Sequence, residues 1–338
     1  VGHSITEIDS NRGMSSHMRN PFIAIADKTA DENSGDVYAM SLVYSGSFSA
    51  STEGSFVGGT RMNIGINPFD FGWELKSKED FVTPEAVLVY SDSGLGKMSR
   101  IYHKIYRERL CRGKFRDAER PTIINNWDAT VFDFDEEKIL KIAKRGAEAG
   151  IEMFVLDDGW FGKRNDDHSS LGDWNVNLEK LPNGLSSLAG KINDLGMKFG
   201  LWVEPEMVSP DSELYRNHPD WCVHAKGRRR TENRYQLALD ISRSEVREYI
   251  TNILTEILKS ANIEYIKWDC NRNITETQNT EQRHRFILGL YEILETLTQS
   301  FPNVLFESCS GGGGRFDPGM LYYMPQVWTS DNMNPISR

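Results

Sequence analysis

Short β-prone runs fill the first part of the chain, and a longer strand–helix rhythm replaces them further on. Residues 22–25, 37–44, 62–66 and 86–90 are apolar runs separated by turn formers such as Asn33-Ser34-Gly35, Glu53-Gly54, Gly58-Gly59 and Asn67-Pro68. Strands this short and this regularly punctuated predict a β-sandwich over residues 1–95. The run 37–44 alternates only in part, as a strand covered on both faces would. At 96–110 the period changes. Met98, Ile101, Tyr102, Ile105, Tyr106 and Leu110 recur at helical spacing, with Arg107, Arg109 and Arg112 at the end that favours cations. This predicts a helical linker over 96–120 that bridges two domains.

From Pro121 onward strand and helix patterns alternate. Strands are expected at 122–127, 153–156, 198–203, 263–268, 304–306 and 326–329, with a short one at 236–241. Helices are expected from Asp135, as N-cap, to Gly150, and at about 185–195, 244–260 and 281–299. Such repeats make a parallel sheet. Polar clusters end nearly every strand on the same side, and the first strand has no GxGxxG turn. A (β/α)8 TIM barrel is therefore favoured over a dinucleotide-binding sheet. The expected strands number fewer than the eight that close a barrel, so residues 121–338 are read as a catalytic barrel lacking its last strands.

Composition narrows the function class. A 338-residue chain with 39% hydrophobic and 26% charged residues is ordinary for a globular protein. Lys and Arg number 39 against 49 Asp and Glu, a formal charge of −10 that disfavours nucleic acid or an anionic membrane surface as partner. No apolar run has the length of a membrane span, and the first residues do not read as a signal peptide. The four cysteines are widely spaced, with no CxxC, and the seven histidines show no HExxH. Neither a disulfide framework, a metal site nor a cofactor is suggested, and a cytoplasmic location follows.

The chemistry concentrates at strand ends. The run beginning Tyr265-Ile266 terminates in Lys267, Trp268, Asp269, Asn271 and Arg272. A buried strand seldom ends in so many groups that each need a partner. At the carboxyl end of a barrel strand such a cluster marks a catalytic site, with Asp269 as candidate nucleophile. Two residues apart on a strand, Lys267 and Asp269 share a face, so the lysine would keep the carboxylate ionised. Other strand ends are Asp157-Asp158-Gly159-Trp160, Trp202-Val203-Glu204-Pro205-Glu206, Glu307-Ser308-Cys309-Ser310 before a glycine run, and Trp328-Thr329-Ser330-Asp331-Asn332.

These motifs, with Asn125-Asn126-Trp127 before them and in this order, resemble those of the α-galactosidases of glycoside hydrolase family 36. Asn67-Pro68-Phe69-Asp70-Phe71 and Arg107-Glu108-Arg109-Leu110 are similar to the end of that family's N-terminal β-supersandwich. The resemblance implies a retaining mechanism, in which two carboxyls stand about 5–5.5 Å apart, one as nucleophile and one as acid/base. It assigns these roles to Asp269 and Asp331. It further implies that Asp157 and Asp158 bind the axial 4-OH and the 6-OH of galactose, with Asp157 alternatively holding its loop. Trp127 and Trp202 would wall the sugar, Lys267 and Arg234 would bind hydroxyls, and Asn271, Cys309 and the backbone at Gly312 would face the 2-OH. Trp328 would bury the acid, or the Asp269 charge would keep it protonated. Glu204 and Glu206 read as loop-holding groups and Glu307 as structural.

This chain departs from the family's pattern at two places. Met333-Asn334 stands where the family usually has Thr-Asp, and Tyr235 stands where Asn commonly follows the arginine. The implied function is hydrolysis of terminal α-galactose from melibiose- and raffinose-type oligosaccharides. An α-N-acetylgalactosaminidase, a raffinose- or stachyose-type galactosyltransferase and a non-catalytic galactoside-binding protein are the alternatives. The family's N-domain loops reach a neighbouring subunit's site, which implies a homo-oligomer and gives residues 12–17, too polar for a core strand, that role.

Overall fold

The computed structural model describes residues 4–337. The N-terminal part carries two three-stranded antiparallel sheets. One orders β1 (Ile5–Ser10), β4 (Phe48–Gly54) and β5 (Thr60–Ile66); the other orders β2 (Phe22–Ala26), β3 (Val37–Val43) and β6 (Glu85–Ser91). Strand β3 explains its own irregular alternation. Val37 and Ala39 pack with Met98 and Tyr102 of α1 (Gly94–Ile105), while Leu42 on the opposite face joins the main core. Helix α1 thus lies along the sandwich instead of bridging away from it. The chain then leaves through a π-helical turn, Tyr106–Leu110.

The second part is a half-barrel. Six parallel strands lie in the order β14 (Gln326–Val327), β13 (Leu305–Ser308), β12 (Tyr265–Trp268), β9 (Lys198–Val203), β8 (Met153–Leu156) and β7 (Ile123–Asn125). Helices α3 (Glu136–Glu148), α4 (Gly184–Asp194), α6 (Ser244–Ser260), α7 (Gln282–Ser300) and α8 (Pro318–Tyr323) alternate with them. A short turn, α2 (Trp127–Thr130), follows β7. Asp135 caps α3 as expected, accepting from Lys138 N–H at 2.8 Å, an interaction that contributes about 1 kcal/mol. Residues 236–241 do not join the barrel. Their strand β11 (Leu237–Ala238) pairs antiparallel with β10 (Met207–Val208) in a ribbon beside α5 (Glu213–Asn217). Leu237 to Ile241 are buried, so an apolar run that looks like a barrel strand is instead the underside of a loop cap.

Alternation along the barrel strands sorts two cores. Phe154, Leu156, Leu201, Ile266, Trp268 and Phe306 face the helices, while Met153, Val155, Tyr265 and Leu305 fill the interior. Gly200 is level with Tyr265, and a Cβ there would stand 2.9 Å from the Tyr265 Cβ, so glycine makes room for the ring. Inward positions at the strand ends continue this interior into the site.

Residues 12–17 are held by this chain's own barrel in their middle: Gly13, Met14, Ser15 and Ser16 are buried, while Arg12 and His17 at the two ends stay exposed. Arg12 O accepts from Ile274 N–H at 2.9 Å, and Ser15 Oγ donates to Asp317 Oδ2 at 2.5 Å.

Candidate active site

Register places the candidate residues on one rung. Leu156 pairs with Leu201, Lys267 with Trp202, and Lys267 with Glu307, so Asp157, Trp202, Lys267 and Glu307 are level at the carboxyl ends of four neighbouring strands. Asp269 stands one inward position further out. Above the rung opens a cavity of about 490 Å³, lined by Trp127, Asp157, Asp158, Trp202, Arg234, Lys267, Asp269, Asn271 and Asp331 among others. Its place is where a barrel carries its catalytic groups.

Asp269 is buried and held on several sides. Oδ1 accepts from the N–H groups of Cys270 at 2.8 Å and Gly311 at 3.2 Å, and Oδ2 accepts from Trp202 Nε1 at 3.1 Å. Burial alone would raise its pKa, but the Lys267 charge and the hydrogen bonds from Asn271, Gly311 and Cys270 outweigh it. The carboxyl sits below its usual value. An ionised, pre-oriented carboxylate in a cleft is suited to nucleophilic attack.

Lys267 does this from a distance. Its Nζ is bonded to Asp157 Oδ2 at 2.9 Å, not to Asp269, and lies 5.0 Å from the centroid of the Trp328 ring. Burial works against the lysine charge, yet Asp157, Cys309 and Asp269 around it hold its pKa above the ordinary value. Asp157 also accepts from Asn125 Nδ2 at 2.5 Å, and its Oδ1 takes the Asp158 N–H at 2.9 Å. Asp158 is gripped by Arg164, Nε to Oδ1 at 2.9 Å and Nη2 to Oδ2 at 2.8 Å. Burial pushes the Asp158 carboxyl up even against that fork. Removing one partner of such a buried pair costs about 3–5 kcal/mol, so the acidic pair is fixed in place before any ligand arrives.

Asp331 differs from the expectation. It is exposed, and Trp328 supplies no cover: its Nε1 donates to Asp331 Oδ1 at 2.8 Å. Gly312, at φ +72°, is the seat of this residue. A Cβ on Gly312 would lie 2.4 Å from Asp331 N and 2.6 Å from its Cγ. Gly312 and Cys309 lie just outside the set of residues that line the cavity. Cys309 is buried behind Asp269, and burial and that charge raise its thiol well above the usual value.

The rival carboxylates are occupied. Glu204 takes the Asn271 N–H at 2.5 Å on Oε1 and Gln236 Nε2 at 3.0 Å on Oε2. Complete burial, helped by the Asp269 charge, pushes it up to about 8, so it is largely protonated at neutral pH. Gln236 Oε1 is buried with no hydrogen-bond partner; a half-turn of that amide would give the Glu204 proton an acceptor. Glu206 accepts from Trp268 Nε1 at 2.8 Å and pairs with Arg315 at 2.9 Å, both fully buried. Glu307 accepts from Gln326 Nε2 at 2.8 Å.

Arg234 and Tyr235 both have positive φ, 52° and 56°, inside a tight turn closed by Asn233 and Gln236. Two such residues define a turn that favours Asn or Gly. Tyr235 meets the demand at a strain and packs its ring 3.7 Å from that of His168. Met333, half exposed, joins the cavity wall. Residues the sequence reading passed over are Asn125, Asp128 and Arg164. Asn125 lay in a quoted motif, while Arg164 stood unmarked in a polar loop. Among the described residues no cluster of His, Cys, Asp and Glu has the arrangement of a metal site.

Comparison with known proteins agrees with this geometry. The Glycosyl hydrolase family 36 N-terminal domain profile matches residues 1–76, and the Melibiase profile matches 80–338. Alpha-galactosidase AgaA of Geobacillus stearothermophilus is 60% identical across 98% of this chain and 46% of its own length. Alpha-galactosidase Mel36A of Lactobacillus acidophilus is 47% identical across the whole chain and 47% of its own. The chain thus spans about half the length of the curated relatives it matches. The crystal structure of the Geobacillus enzyme superposes with a TM-score of 0.98 at 58% identity, over 100% of this chain and 48% of that one. Variants of that enzyme have been solved with raffinose and with stachyose. The two profiles, in this order and covering nearly every residue, place the chain in glycoside hydrolase family 36.

Proposed function

We propose that the full-length protein is a retaining α-galactosidase acting on melibiose- and raffinose-type α-galactosides by double displacement. The observation that carries the reading is the pairing of an ionised, buried Asp269 with a solvent-reaching Asp331 on one cavity. Asp269 attacks the anomeric carbon while Asp331 protonates the departing oxygen; Asp331 then deprotonates the water that releases galactose. Trp328 occupies Asp331 Oδ1, which leaves Oδ2 to carry the proton. Asp157 and Asp158 receive the 4-OH and 6-OH, and Trp127 and Trp202 lie along the ring's C–H faces. The Trp202 indole has a second task, since its N–H orients Asp269. Asn271 does likewise from the 2-OH side.

The relatives' raffinose and stachyose complexes support this substrate class. A cytoplasmic location and a homo-oligomer belong to the same proposal. No described helix is long and apolar enough to cross a membrane, and all four cysteines are free. Proton NMR of nitrophenyl α-galactoside hydrolysis tests the reaction. α-Galactose is expected as the first-formed anomer, and the 2-acetamido analogue is expected to react far more slowly. β-Galactose first, or binding without turnover, would refute the retaining enzyme.

Gly312→Ala is a sharper local test. Its Cβ would displace Asp331, and φ +72° disfavours alanine. We expect kcat to fall by about a hundredfold, with a stability loss of at least about 1–2 kcal/mol from the backbone conformation alone. Unchanged kcat would show that Asp331 does not depend on this seat.

A further inference from the structure

We propose that His17, on the strap between β1 and β2 that packs against the barrel, is a positioning residue for both reacting carboxyls. It acts through the backbone of the glycine loop and touches no substrate. The proposal rests on the reading that Asp269 and Asp331 are the reacting pair.

The glycine loop needs an outside anchor. Gly311, Gly312 and Gly313 have φ of 56°, 72° and 100°, a run of left-handed conformations that has no side chain to pin it. Both carboxyls depend on it. The Gly311 N–H donates to Asp269 Oδ1 at 3.2 Å, and the Gly312 Cα forms the seat of Asp331. The peptide between those two positions carries the Gly311 carbonyl. His17 Nε2 lies 3.1 Å from that oxygen. A carbonyl only accepts, so Nε2 carries the hydrogen and the imidazole donates. One hydrogen bond thus fixes the peptide that links the support of the nucleophile to the support of the acid.

The strap is rigid enough to do this. Gly13 N–H donates to Ser47 Oγ at 2.9 Å, Ser15 N–H donates to Ser45 O at 2.9 Å, and Ser10 Oγ donates to Met14 O at 2.6 Å. These bonds tie it to the sandwich. On the barrel side, Asp317 takes Ser15 Oγ at 2.5 Å and Ser45 Oγ at 2.6 Å. Ile274 N–H donates to Arg12 O at 2.9 Å, which fixes the loop that follows Asp269. Ser310 Oγ, against Met14, donates to Cys270 O at 2.7 Å. The strap therefore grips both loops whose N–H groups hold Asp269, and His17 is its exposed tip over the glycine run.

The test is steady-state kinetics on nitrophenyl α-galactoside with the full-length protein and its His17→Ala, His17→Gln and Met18→Ala variants. His17→Ala is expected to lower kcat by about 10- to 100-fold. KM should stay within about twofold, because the residue does not line the cavity. His17→Gln, which keeps a donor of similar reach, should recover most of the loss. Met18→Ala, an exposed neighbour, should match wild type. Thermal melts of all variants should coincide, since the side chain is exposed. An active wild type with an unchanged His17→Ala overturns the proposal alone. So does a loss that appears only in KM, a loss that glutamine fails to repair, or a loss that tracks a lowered melting temperature. A wild type with no hydrolysis overturns the glycosidase reading, and this proposal with it.

Discussion

Replacing Asp269 by alanine in the full-length protein is expected to lower kcat on nitrophenyl α-galactoside by roughly ten-thousandfold or more. The size follows from what is removed. Asp269 would form the covalent bond, and no neighbouring carboxylate can substitute for it. Glu204, one of the rival carboxyls, accepts two hydrogen bonds and is pushed up to about 8, so it is mostly a neutral acid. Glu206 is locked to Arg315. The vacated space retains donors from Trp202, Cys270 and Gly311, which would welcome a small anion. Azide should therefore restore turnover and give β-galactosyl azide, since attack then comes once and from the nucleophile's side. Near wild-type activity in Asp269→Ala would remove the nucleophile assignment.

Asp331→Ala is expected to lower kcat by about 10²- to 10⁴-fold, and unequally across substrates. A sugar leaving group needs the proton that Asp331 supplies, so raffinose hydrolysis should suffer most. A dinitrophenyl leaving group needs none. Its first step should survive and its second, which needs a base, should slow, giving a burst of phenol. Azide needs no base and should accelerate release, now as α-galactosyl azide. Opposite azide anomers from the two variants would distinguish the two roles. Equal losses on both substrates would mean that Asp331 only shapes the loop. That outcome would fit its exposure and the hydrogen bond it accepts from Trp328.

The sequence reveals most where structure is local. Strands β8, β9 and β12 announce themselves as apolar runs stopped by polar clusters, and α6 as an unbroken amphipathic pattern from Ser244 to Ser260. A strand end also compresses chemistry into neighbouring residues, which is why Asp157, Asp158, Lys267 and Asp269 can be picked out without coordinates. Strands β1 and β4 escape notice because Ile5–Ser10 is mostly exposed and Phe48–Gly54 is rich in small Ser, Thr and Ala. The run at 237–241 misleads because burial under a cap and burial in a barrel demand the same apolar residues.

The contacts that set the electrostatics are not local, and the sequence alone conceals them. Lys267 is near Asp269 in the chain, yet it bonds Asp157 across the rung, 110 residues away in sequence. Trp202 looks like an apolar wall until its N–H is seen on Asp269. Arg164 and His17 lie in polar stretches without a motif, and only the fold shows which carboxylate or carbonyl each one reaches. The shelter expected for Asp331 fails for a related reason. A tryptophan three residues before an aspartate can cover it or donate to it, and here it donates.

Trapping the covalent intermediate tests the central claim most directly. The full-length protein would be incubated with a fluorinated galactosyl substrate whose second step is slow, then digested and mapped by mass spectrometry. The account predicts a single galactosyl ester, on Asp269. An ester on Asp331, Asp158 or Glu204, or steady hydrolysis with no adduct at all, would contradict it.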